Sequence, residues 1–305
     1  MILDFFNDFM KHWLAKIVNS LSFRGFLKWM PDSLYLKLIF RLKLGYPLNL
    51  KDPKTFNEKL QWMKLYNRDP LYTQLVDKYE VRKYVQSKIG DDCLIPLLGV
   101  WNKFDDIDFD KLPNQFVLKC THDSGGLVIC KDKSKLNKAS AEKKINKCLK
   151  RNYYRILREW PYKNVTPRII AEKYMESDAS EGLPDYKIFC FNGVPQIWFT
   201  VTNRSKGDPR CDYFDFHGNH LPVEQGYKNS SVPVAKPSAL ETMKEYARIL
   251  TQGMPHCRAD FYEVAGKVYF GELTFFDSSG FEPFFPKEWD YKLGEMIELR
   301  ENNGK

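Results

Sequence analysis

The chain has 305 residues, of which 43% are hydrophobic and 28% are charged, and this composition is ordinary for one large globular domain or two small ones. The mean hydropathy of −0.48 and the lack of an apolar run of about 18 residues exclude a membrane-spanning helix. The formal net charge of +8 favours an anionic partner: a nucleic acid, an anionic lipid or a ligand that carries phosphate.

Residues 1–30 have the apolar spacing of an amphipathic helix. The apolar positions are Phe5, Phe6, Phe9, Met10, Trp13, Leu14, Ile17 and Val18. One interpretation is that this helix packs on the protein's own core. The other is that it binds peripherally to an anionic membrane surface, and the ten basic and five acidic residues among the first 60 keep this interpretation open.

Helical patterns continue almost to residue 90. A helix begins at Pro31-Asp32-Ser33 and runs through Leu44. Two more helices are predicted over about residues 55–65 and 71–86. We therefore expect a separate helical region at the N-terminus, over residues 1–75.

After residue 90 the pattern changes to short apolar runs that are typical of strands. These runs cover residues 94–100, 115–120, 127–130, 168–174, 186–191, 196–201, 258–264 and 267–274. Helices are predicted near residues 139–151 and 238–253, and hairpin turns at Asn192-Gly193 and Ala265-Gly266. The mixture indicates an α+β fold with antiparallel sheets.

Charge is spread unevenly over the chain. Residues 131–170 contain thirteen basic and three acidic residues, whereas residues 255–305 contain six basic and ten acidic ones. A basic segment and an acidic segment together are what a site for an anion and a metal ion needs, and a solvated surface shows the same pattern.

The seven cysteines are odd in number and form no Cys-x-x-Cys pair, which argues against a disulfide framework and against a zinc ribbon. Asp4 and Asp8 interrupt the first apolar run, so the N-terminus lacks the pattern of a secretory signal. We expect a cytoplasmic protein.

The first candidate for chemistry is Lys119, on the predicted strand that ends at Cys120. A lysine on a buried strand is costly unless its ammonium group meets an anion. The small, polar segment 121–126 follows, and its backbone N–H groups can turn toward phosphate oxygens. The alternative is an ordinary hairpin, and the Walker A pattern is absent.

The second candidate is the pair Asp185 and Lys187, which alternation places on one face of a strand. The alternative is a surface ion pair.

The third candidate is the last hairpin. Arg258 and Asp260 share a face of its first strand, and Glu272 and Thr274 share a face of its second. Antiparallel pairing brings the four together, and two carboxylates with a neutral oxygen suit Mg²⁺, while an adjacent arginine suits a phosphoryl group. The alternative is a cross-strand charge ladder.

In this order, the segments resemble the TupA-like branch of the ATP-grasp superfamily, named for a teichuronopeptide biosynthesis protein, over about residues 50–290. The matching segments are 54–62, Asp77-Lys78, Lys119 with His122-x-Ser124-Gly125-Gly126, Glu172-Lys173-Tyr174, 185–193, 258–262 and 270–274.

The resemblance implies an ATP-grasp fold, in which two α+β subdomains clamp ATP, with a helical N-terminal arm in addition. Residues 76–166 would form the small subdomain with the phosphate lid. Residues 167–305 would form the large subdomain with the hinge and the metal site.

The resemblance also implies roles for single residues. Lys119 and Lys187 would contact the nucleotide phosphates, and Asp185 would bind the ribose. The lid would consist of residues 121–126, including His122, Ser124, Gly125 and Gly126. Glu172 and the backbone near Tyr174 would meet the adenine edge.

Asp260 and Glu272 would hold Mg²⁺, and Arg258 would stabilise the transferred phosphoryl group. The usual metal motif of the superfamily is Glu-x-Asn, and here Thr274 stands at the third position. No role is assigned to Asp123, which adds a negative charge to the lid.

The implied reaction is ATP-dependent activation of a carboxylate as an acylphosphate, followed by attack of an amine. Family members belong to surface-polysaccharide pathways, so we expect an amide between an amino acid and a uronic acid of a glycan. Arg204 would hold a substrate carboxylate, and Ser278, Ser279 and Gly280 would line the acceptor site.

Two alternatives stay open. The same ATP site would serve a kinase that phosphorylates a hydroxyl group of a glycan or a small molecule. A non-enzymatic module would use the basic segment to bind a membrane or nucleic acid, but the known nucleic-acid-binding signatures are absent and we expect no nucleic-acid partner.

Overall fold

The computed structural model describes residues 2–176 and 183–299, which form two main antiparallel sheets flanked by helices. The helices are α1 Ile2–Phe23, α2 Asp32–Leu44, α3 Phe56–Tyr66, α4 Leu71–Val76, α5 Val81–Ile89, α6 Lys138–Leu149, α7 Tyr154–Leu157, α8 Leu240–Leu250 and α9 Glu288–Glu295. The strands are β1 Leu97–Trp101, β2 Phe116–Cys120, β3 Leu127–Cys130, β4 Ile169–Lys173, β5 Asp185–Phe191, β6 Val194–Thr202, β7 Arg210–Asp215, β8 His220–Leu221, β9 Glu224–Gln225, β10 His256–Val264, β11 Lys267–Thr274 and β12 Phe284–Phe285.

The small sheet has the strand order β1-β4-β2-β3. Alternate residues of β2, Phe116 and Leu118, are buried against Ile145 of α6, and they form one apolar core. Lys119 therefore lies on the opposite face of the sheet, which α6 leaves open.

The large sheet has the order β11-β10-β5-β6-β7-β8. Helix α8 covers one face with Leu240, Met243, Ala247 and Leu250, and α3 contributes Phe56 to the same extended core. Both predicted hairpin turns are present, with positive φ at Asn192-Gly193 and at Ala265-Gly266, as a two-residue turn between twisted strands requires.

The predicted helical region of residues 1–75 is divided between two cores. Helices α1 and α2 belong to a small core that includes Tyr35, Phe40 and Phe281. Helix α3 begins with a capping box, in which Thr55 and Glu58 exchange hydrogen bonds, and it packs into the main core together with α4. Within the described ranges, none of the helices combines the length and the apolar character needed to cross a bilayer. The side chains of Phe5, Phe6 and Phe9 lie outside the described part.

The single helix predicted over residues 71–86 is wrong. The structure has two helices, α4 and α5, separated by residues 77–80. Asp77 is extended, and its Oδ1 accepts hydrogen bonds from the backbone N–H groups of Tyr79 (2.8 Å) and Glu80 (3.3 Å). The apolar spacing does not reveal this break because a local side-chain turn competes with the helix.

Candidate functional site

Three charged residues form a row across the large sheet. Asp260 of β10 lies opposite Lys187 of β5 and opposite Glu272 of β11. Lys187 Nζ is 2.5 Å from Asp260 Oδ2 and 2.7 Å from Asp185 Oδ2. Burial lowers the pKa of Lys187, but the carboxylates of Asp260 and Asp185 outweigh it and the net shift is upward. Lys187 is therefore a fixed cation at neutral pH.

Arg258 lies two residues before Asp260 on β10, on the same face of the strand. Its Nε and Nη2 donate to the two oxygens of Asp260, both at 2.7 Å. Nη2 also donates to Thr274 Oγ1 at 3.2 Å, and Nη1 donates to Asp277. Burial lowers the pKa of Arg258, but Asp260 and Asp277 raise it well above its usual value. The guanidinium is thus oriented from two sides, as bidentate pairing favours.

Glu272 is the accessible carboxylate of the row, with 40% of its side chain exposed. Its Oε2 lies 3.3 Å from Lys78 Nζ, and its Oε1 lies 3.5 Å from Arg258 Nη2. Burial raises the pKa of the Glu272 carboxyl, and the charges of Lys78, Arg258 and Lys187 outweigh burial and lower the pKa to about 2. An ionised oxygen ligand therefore faces the cleft.

Lys78 is a site residue that the sequence reasoning missed. It lies in the break between α4 and α5, and its backbone N–H donates to Thr121 O at 3.0 Å. Its ammonium group reaches Glu272 and, at 3.4 Å, Asp123 O. The Asp77-Lys78 pair belongs to the segments that carry the family resemblance, and this was the only signal that pointed to it.

Lys119 and Glu172 meet on the open face of the small sheet. Lys119 Nζ lies 2.6 Å from Glu172 Oε2, and Arg82 Nη1 donates to Glu172 Oε1 at 3.2 Å. Glu172 is therefore held between two cations. Tyr174 follows β4 directly, and Lys131 Nζ lies 5.8 Å from the centre of its ring.

The predicted lid loop presents its glycines to the cleft. The Gly126 carbonyl accepts from Cys120 N–H at 2.8 Å, and a Cβ at Gly126 would lie 2.9 Å from Cys120 Sγ. Gly125 has φ of +106°, which disfavours other residues there. Ser124 is exposed beside them.

The side chains of His122 and Asp123, in the same loop, are buried. The His122 ring is buried and its Nε2 lies 3.2 Å from Cys148 O, and burial lowers its pKa. The structure therefore does not bring this predicted nucleotide-binding side chain to the site. Asp123 is paired with Arg151 at 3.2 Å, and its side chain is almost fully buried. This pairing with Arg151 neutralises the negative charge that Asp123 adds to the lid.

The two sheets enclose a cleft of about 180 Å³. Its lining residues are Lys78, Lys119, Cys120, Asp123, Ser124, Gly125, Gly126, Leu127, Asp185, Lys187, Asp260, Tyr262, Gly271 and Glu272. Three lysines from three different elements thus converge on one small volume that also holds an ionised carboxylate.

Arg204 borders a second cavity of about 350 Å³, which shares Asp185 with the cleft. Its Nη1 lies 3.7 Å from Asp185 Oδ2, and half of its side chain is exposed. Asp185 Oδ1 is buried without a hydrogen-bond partner. The second cavity therefore adjoins the cleft at a carboxylate with a spare acceptor oxygen.

Ser278 and Ser279 occupy a tight turn after β11, and the two differ in exposure. Ser278 is exposed, whereas Ser279 is buried and donates to Glu159 Oε1 at 2.6 Å. The prediction that Ser279 lines an open acceptor site does not match this geometry, because its hydroxyl group is enclosed. Both residues have positive φ, a strained conformation for serine that the surroundings must hold in place.

A buried lysine supplies that support, and nothing in the sequence pattern revealed it. Lys64 of α3 is fully buried, and its Nζ donates to Ser279 O at 2.7 Å and to Leu157 O at 3.0 Å. Burial lowers the pKa of Lys64 to about 7 and raises the pKa of Glu159. Lys64 thus fixes the turn from which Asp277 contacts Arg258.

A match to a protein family identifies the fold around this site. The model of the TupA-like ATPgrasp family matches residues 58–298. The chain belongs to this family. The α+β ATP-grasp fold expected from the sequence is therefore confirmed.

Solved structures with similar folds are distant. A D-alanine–D-alanine ligase from Bacillus anthracis complexed with ATP has 16% identity and a TM-score of 0.38, over 66% of this chain and 53% of that one. The D-alanine–D-alanine ligase from Helicobacter pylori has 15% identity and a TM-score of 0.41, over 81% and 70%. A D-cycloserine synthetase has 13% identity and a TM-score of 0.41, over 75% and 72%.

The ATP-grasp chain spans about half the length of the first of these ligases. No curated protein matches it.

Proposed function

We propose that this protein is an ATP-dependent carboxylate–amine ligase that works through an acylphosphate. The observation that carries the proposal is the convergence of Lys78, Lys119 and Lys187 on one cleft that also holds Glu272. A triphosphate is the common ligand that needs several cations and a metal-binding carboxylate in so small a volume. Membership of the ATP-grasp family supports the same ligand.

The three lysines bind the phosphates in this proposal. Each ammonium group is now paired with a carboxylate, namely Glu272, Glu172 or Asp260. A triphosphate offers stronger, multiply charged acceptors at the same place, so the lysines can exchange partners without moving far. The backbone N–H groups around Gly125 add donors to the phosphate oxygens.

The base and ribose would lie along the small sheet and the start of β5. Glu172 lies on β4 beside Lys119, and Tyr174 follows that strand; the Glu172 carboxylate and the backbone near Tyr174 would offer acceptors and donors to the adenine edge. Asp185 keeps Oδ1 free of hydrogen bonds, which fits a ribose hydroxyl donor.

The residues present fit a magnesium ion, because Glu272, Asp260 and Thr274 are oxygen donors side by side on paired strands. Of the two carboxylates, Glu272 is the more available to a metal ion, because both oxygens of Asp260 already accept hydrogen bonds from Arg258. Among residues 2–176 and 183–299 there is no ready-made cluster of three acidic, His or Cys ligands. Glu272 would therefore be the main protein ligand, and the ion would supply charge neutralisation of the phosphates.

The chemistry needs no nucleophilic side chain. A substrate carboxylate oxygen attacks the γ-phosphorus, the bond to the bridging oxygen breaks, and ADP leaves with that electron pair. An amine then attacks the carbonyl carbon of the acylphosphate, phosphate leaves, and the amine loses a proton. Arg258, oriented by Asp260 and Asp277, would stabilise negative charge on the transferred phosphoryl group.

We propose that the carboxylate belongs to a uronic acid of a bacterial surface polysaccharide and that the amine is an amino acid. The cavity bordered by Arg204 supports this assignment, because it adjoins the cleft and offers a cation to a second carboxylate. Exposed Ser278 offers a hydroxyl group to the acceptor. Since both ATP and sugar nucleotides are cytoplasmic, we place the reaction in the cytoplasm.

Hydroxylamine trapping tests the proposal. Protein, Mg·ATP and hydroxylamine are incubated with a panel of glucuronate, galacturonate, nucleotide-linked uronates and amino acids, and hydroxamate is measured as its iron complex. We expect ATP-dependent hydroxamate with a uronate in the wild type and its loss in Glu272→Gln. Glu245→Gln, at an exposed glutamate on α8, serves as the matched control. A phosphorylated sugar without hydroxamate would identify a kinase, and turnover of neither kind would contradict enzymatic activity on this panel.

A further inference from the structure

The N-terminal helices expose an unusual amount of apolar surface. Half of the large hydrophobic side chains exposed in the described part of the chain lie within residues 10–38. They are Met10, Trp13, Leu14, Leu21, Phe23, Phe26, Trp29, Leu34 and Leu38. Trp29 is 75% exposed and Trp13 is 54% exposed. Such a concentration marks an interaction surface and not chance exposure.

These exposed side chains do not take part in the packing of α1 and α2 on the rest of the protein. On α1, Met10, Trp13, Leu14 and Leu21 follow the spacing of one helix face. The buried contacts of α1 come from a different face, where Ala15 and Ser22 are covered. The apolar face of α1 is therefore left for another partner.

The exposed charged side chains between residues 13 and 41 are all positive. The exposed charged residues are Lys16, Arg24, Lys28, Lys37 and Arg41. The single acid of this stretch, Asp32, is half-buried and held by Tyr154 at 2.6 Å and Arg158 at 3.2 Å. Positive charge beside exposed tryptophan and phenylalanine is the composition of a segment that lies in the interface of an anionic bilayer.

We propose that the helical hairpin of residues 10–41 binds peripherally to an anionic lipid bilayer. A second copy of the chain is a poorer occupant, because it would bring two sets of positive charges together around the apolar face. The hairpin is not long or apolar enough to span, so the aromatic side chains enter the headgroup region while the lysines and arginines contact lipid phosphates. This binding does not depend on the proposed ligase activity.

Vesicle flotation of the full chain tests the proposal. Vesicles are made of phosphatidylcholine alone or with 30% phosphatidylglycerol, at low and high salt. We expect binding to the anionic vesicles that falls with salt, and at least about 10-fold weaker binding to the neutral ones. Trp13→Ser/Trp29→Ser should reduce binding at least about 10-fold, since interfacial aromatics anchor such segments.

A second pair of variants tests the contribution of the basic residues to vesicle binding. Lys28→Glu/Lys37→Glu should weaken binding by about 30-fold or more, because each basic residue near an anionic surface is worth about 1 kcal/mol. The control is Lys83→Glu/Lys111→Glu, two lysines outside residues 10–41 that are 69% and 83% exposed. The control should bind like the wild type.

Three results would overturn the proposal. They are no flotation with anionic vesicles, equal flotation of the tryptophan variant, and a dimer in sedimentation that the tryptophan substitutions dissociate. The substituted positions are exposed, so the variants should fold, and their unchanged binding of Mg·AMP-PNP would show that the cleft is intact.

Discussion

Replacing Lys119 by methionine separates the binding of phosphate from the integrity of the fold. In the free protein Lys119 Nζ is paired with Glu172 at 2.6 Å, and Arg82 holds the same carboxylate at 3.2 Å. The substitution therefore leaves Glu172 with a cation. Because the partner stays paired and Lys119 is partly exposed, we expect the free energy of unfolding to fall by only about 1 kcal/mol.

The effect on nucleotide binding should be much larger. A hydrogen bond between an ammonium group and a phosphate oxygen contributes about 1.5–3 kcal/mol, which corresponds to a roughly 10- to 150-fold weaker complex when it is lost. In the proposed site Lys119 contacts phosphate, and after the substitution Arg82 still holds the Glu172 carboxylate in place for the adenine edge. Lys119→Met should therefore weaken Mg·AMP-PNP strongly and adenosine hardly at all.

Isothermal titration calorimetry with both ligands measures this difference. Lys111→Met is the matched control, because Lys111 is 83% exposed and forms a surface ion pair with Asp108 three residues before it. The reasoning is refuted if Lys119→Met binds Mg·AMP-PNP like the control, or if adenosine and Mg·AMP-PNP weaken by the same factor.

Three further variants test other parts of the structure. Glu272→Gln should abolish the increase in AMP-PNP affinity that Mg²⁺ brings. Calorimetry with Mg²⁺ and with EDTA measures this increase, and the same increase in the variant as in the wild type would refute the prediction. Lys64→Met should lower the free energy of unfolding in urea by about 3–5 kcal/mol because it removes the buried positive charge that compensates the buried Glu159 carboxyl, and adding Glu159→Gln should recover part of the loss; an unaffected midpoint would contradict this coupling of the two buried charges. Burial lowers the pKa of His256 from its ordinary value of 6.5 to about 3. Between these two pH values the imidazole is neutral in the native protein and protonated in the unfolded chain, so the free energy of unfolding decreases as the pH falls below 6.5. His256→Phe should therefore shrink the loss of stability between pH 7.5 and 5.5 by about 1.4 kcal/mol in urea titrations, and an equal loss in both proteins would exclude this role.

Only part of the row on the large sheet follows from local rules. Alternation puts Arg258 and Asp260 on one face, and the two-residue turn at Ala265-Gly266 sets the register from Val264–Lys267 to Phe261–Phe270. A bulge at Gly271 then shifts the register by one residue and brings Glu272 opposite Asp260, and no pattern in the sequence reveals this shift. Lys187 also needs the tertiary structure, because the turn at Asn192-Gly193 joins β5 to β6, whereas the pairing of β5 with β10 is long-range.

Lys78 and Lys64 show where local pattern fails. Lys78 lies in what reads as a continuous helix, and the break depends on the Asp77 side chain accepting from the backbone. Lys64 looks like an exposed helical lysine, but it is enclosed by segments far along the chain, at Leu157 and at the turn after β11, which is more than 200 residues later. Neither contact has a signature within its own segment, so it requires the tertiary structure.

The fate of Ser279 and His122 has the same cause. Both belong to polar segments that are typical of ligand loops, yet each side chain is turned inward by a distant partner, Glu159 for Ser279 and Cys148 for His122. A sequence predicts that a loop is polar, but it does not predict which side chains of the loop the core will bury.

The transfer of ¹⁸O from substrate to phosphate tests the central claim most directly. The carboxylate that gives hydroxamate in the trapping assay is labelled with ¹⁸O and turned over with Mg·ATP and its amine, and the released phosphate is analysed by mass spectrometry. When the amine attacks the acylphosphate, the phosphate that leaves keeps one carboxylate oxygen, so we predict one ¹⁸O in each phosphate formed. Phosphate without ¹⁸O, alongside an amide product, would contradict an acylphosphate intermediate in this ATP-grasp protein.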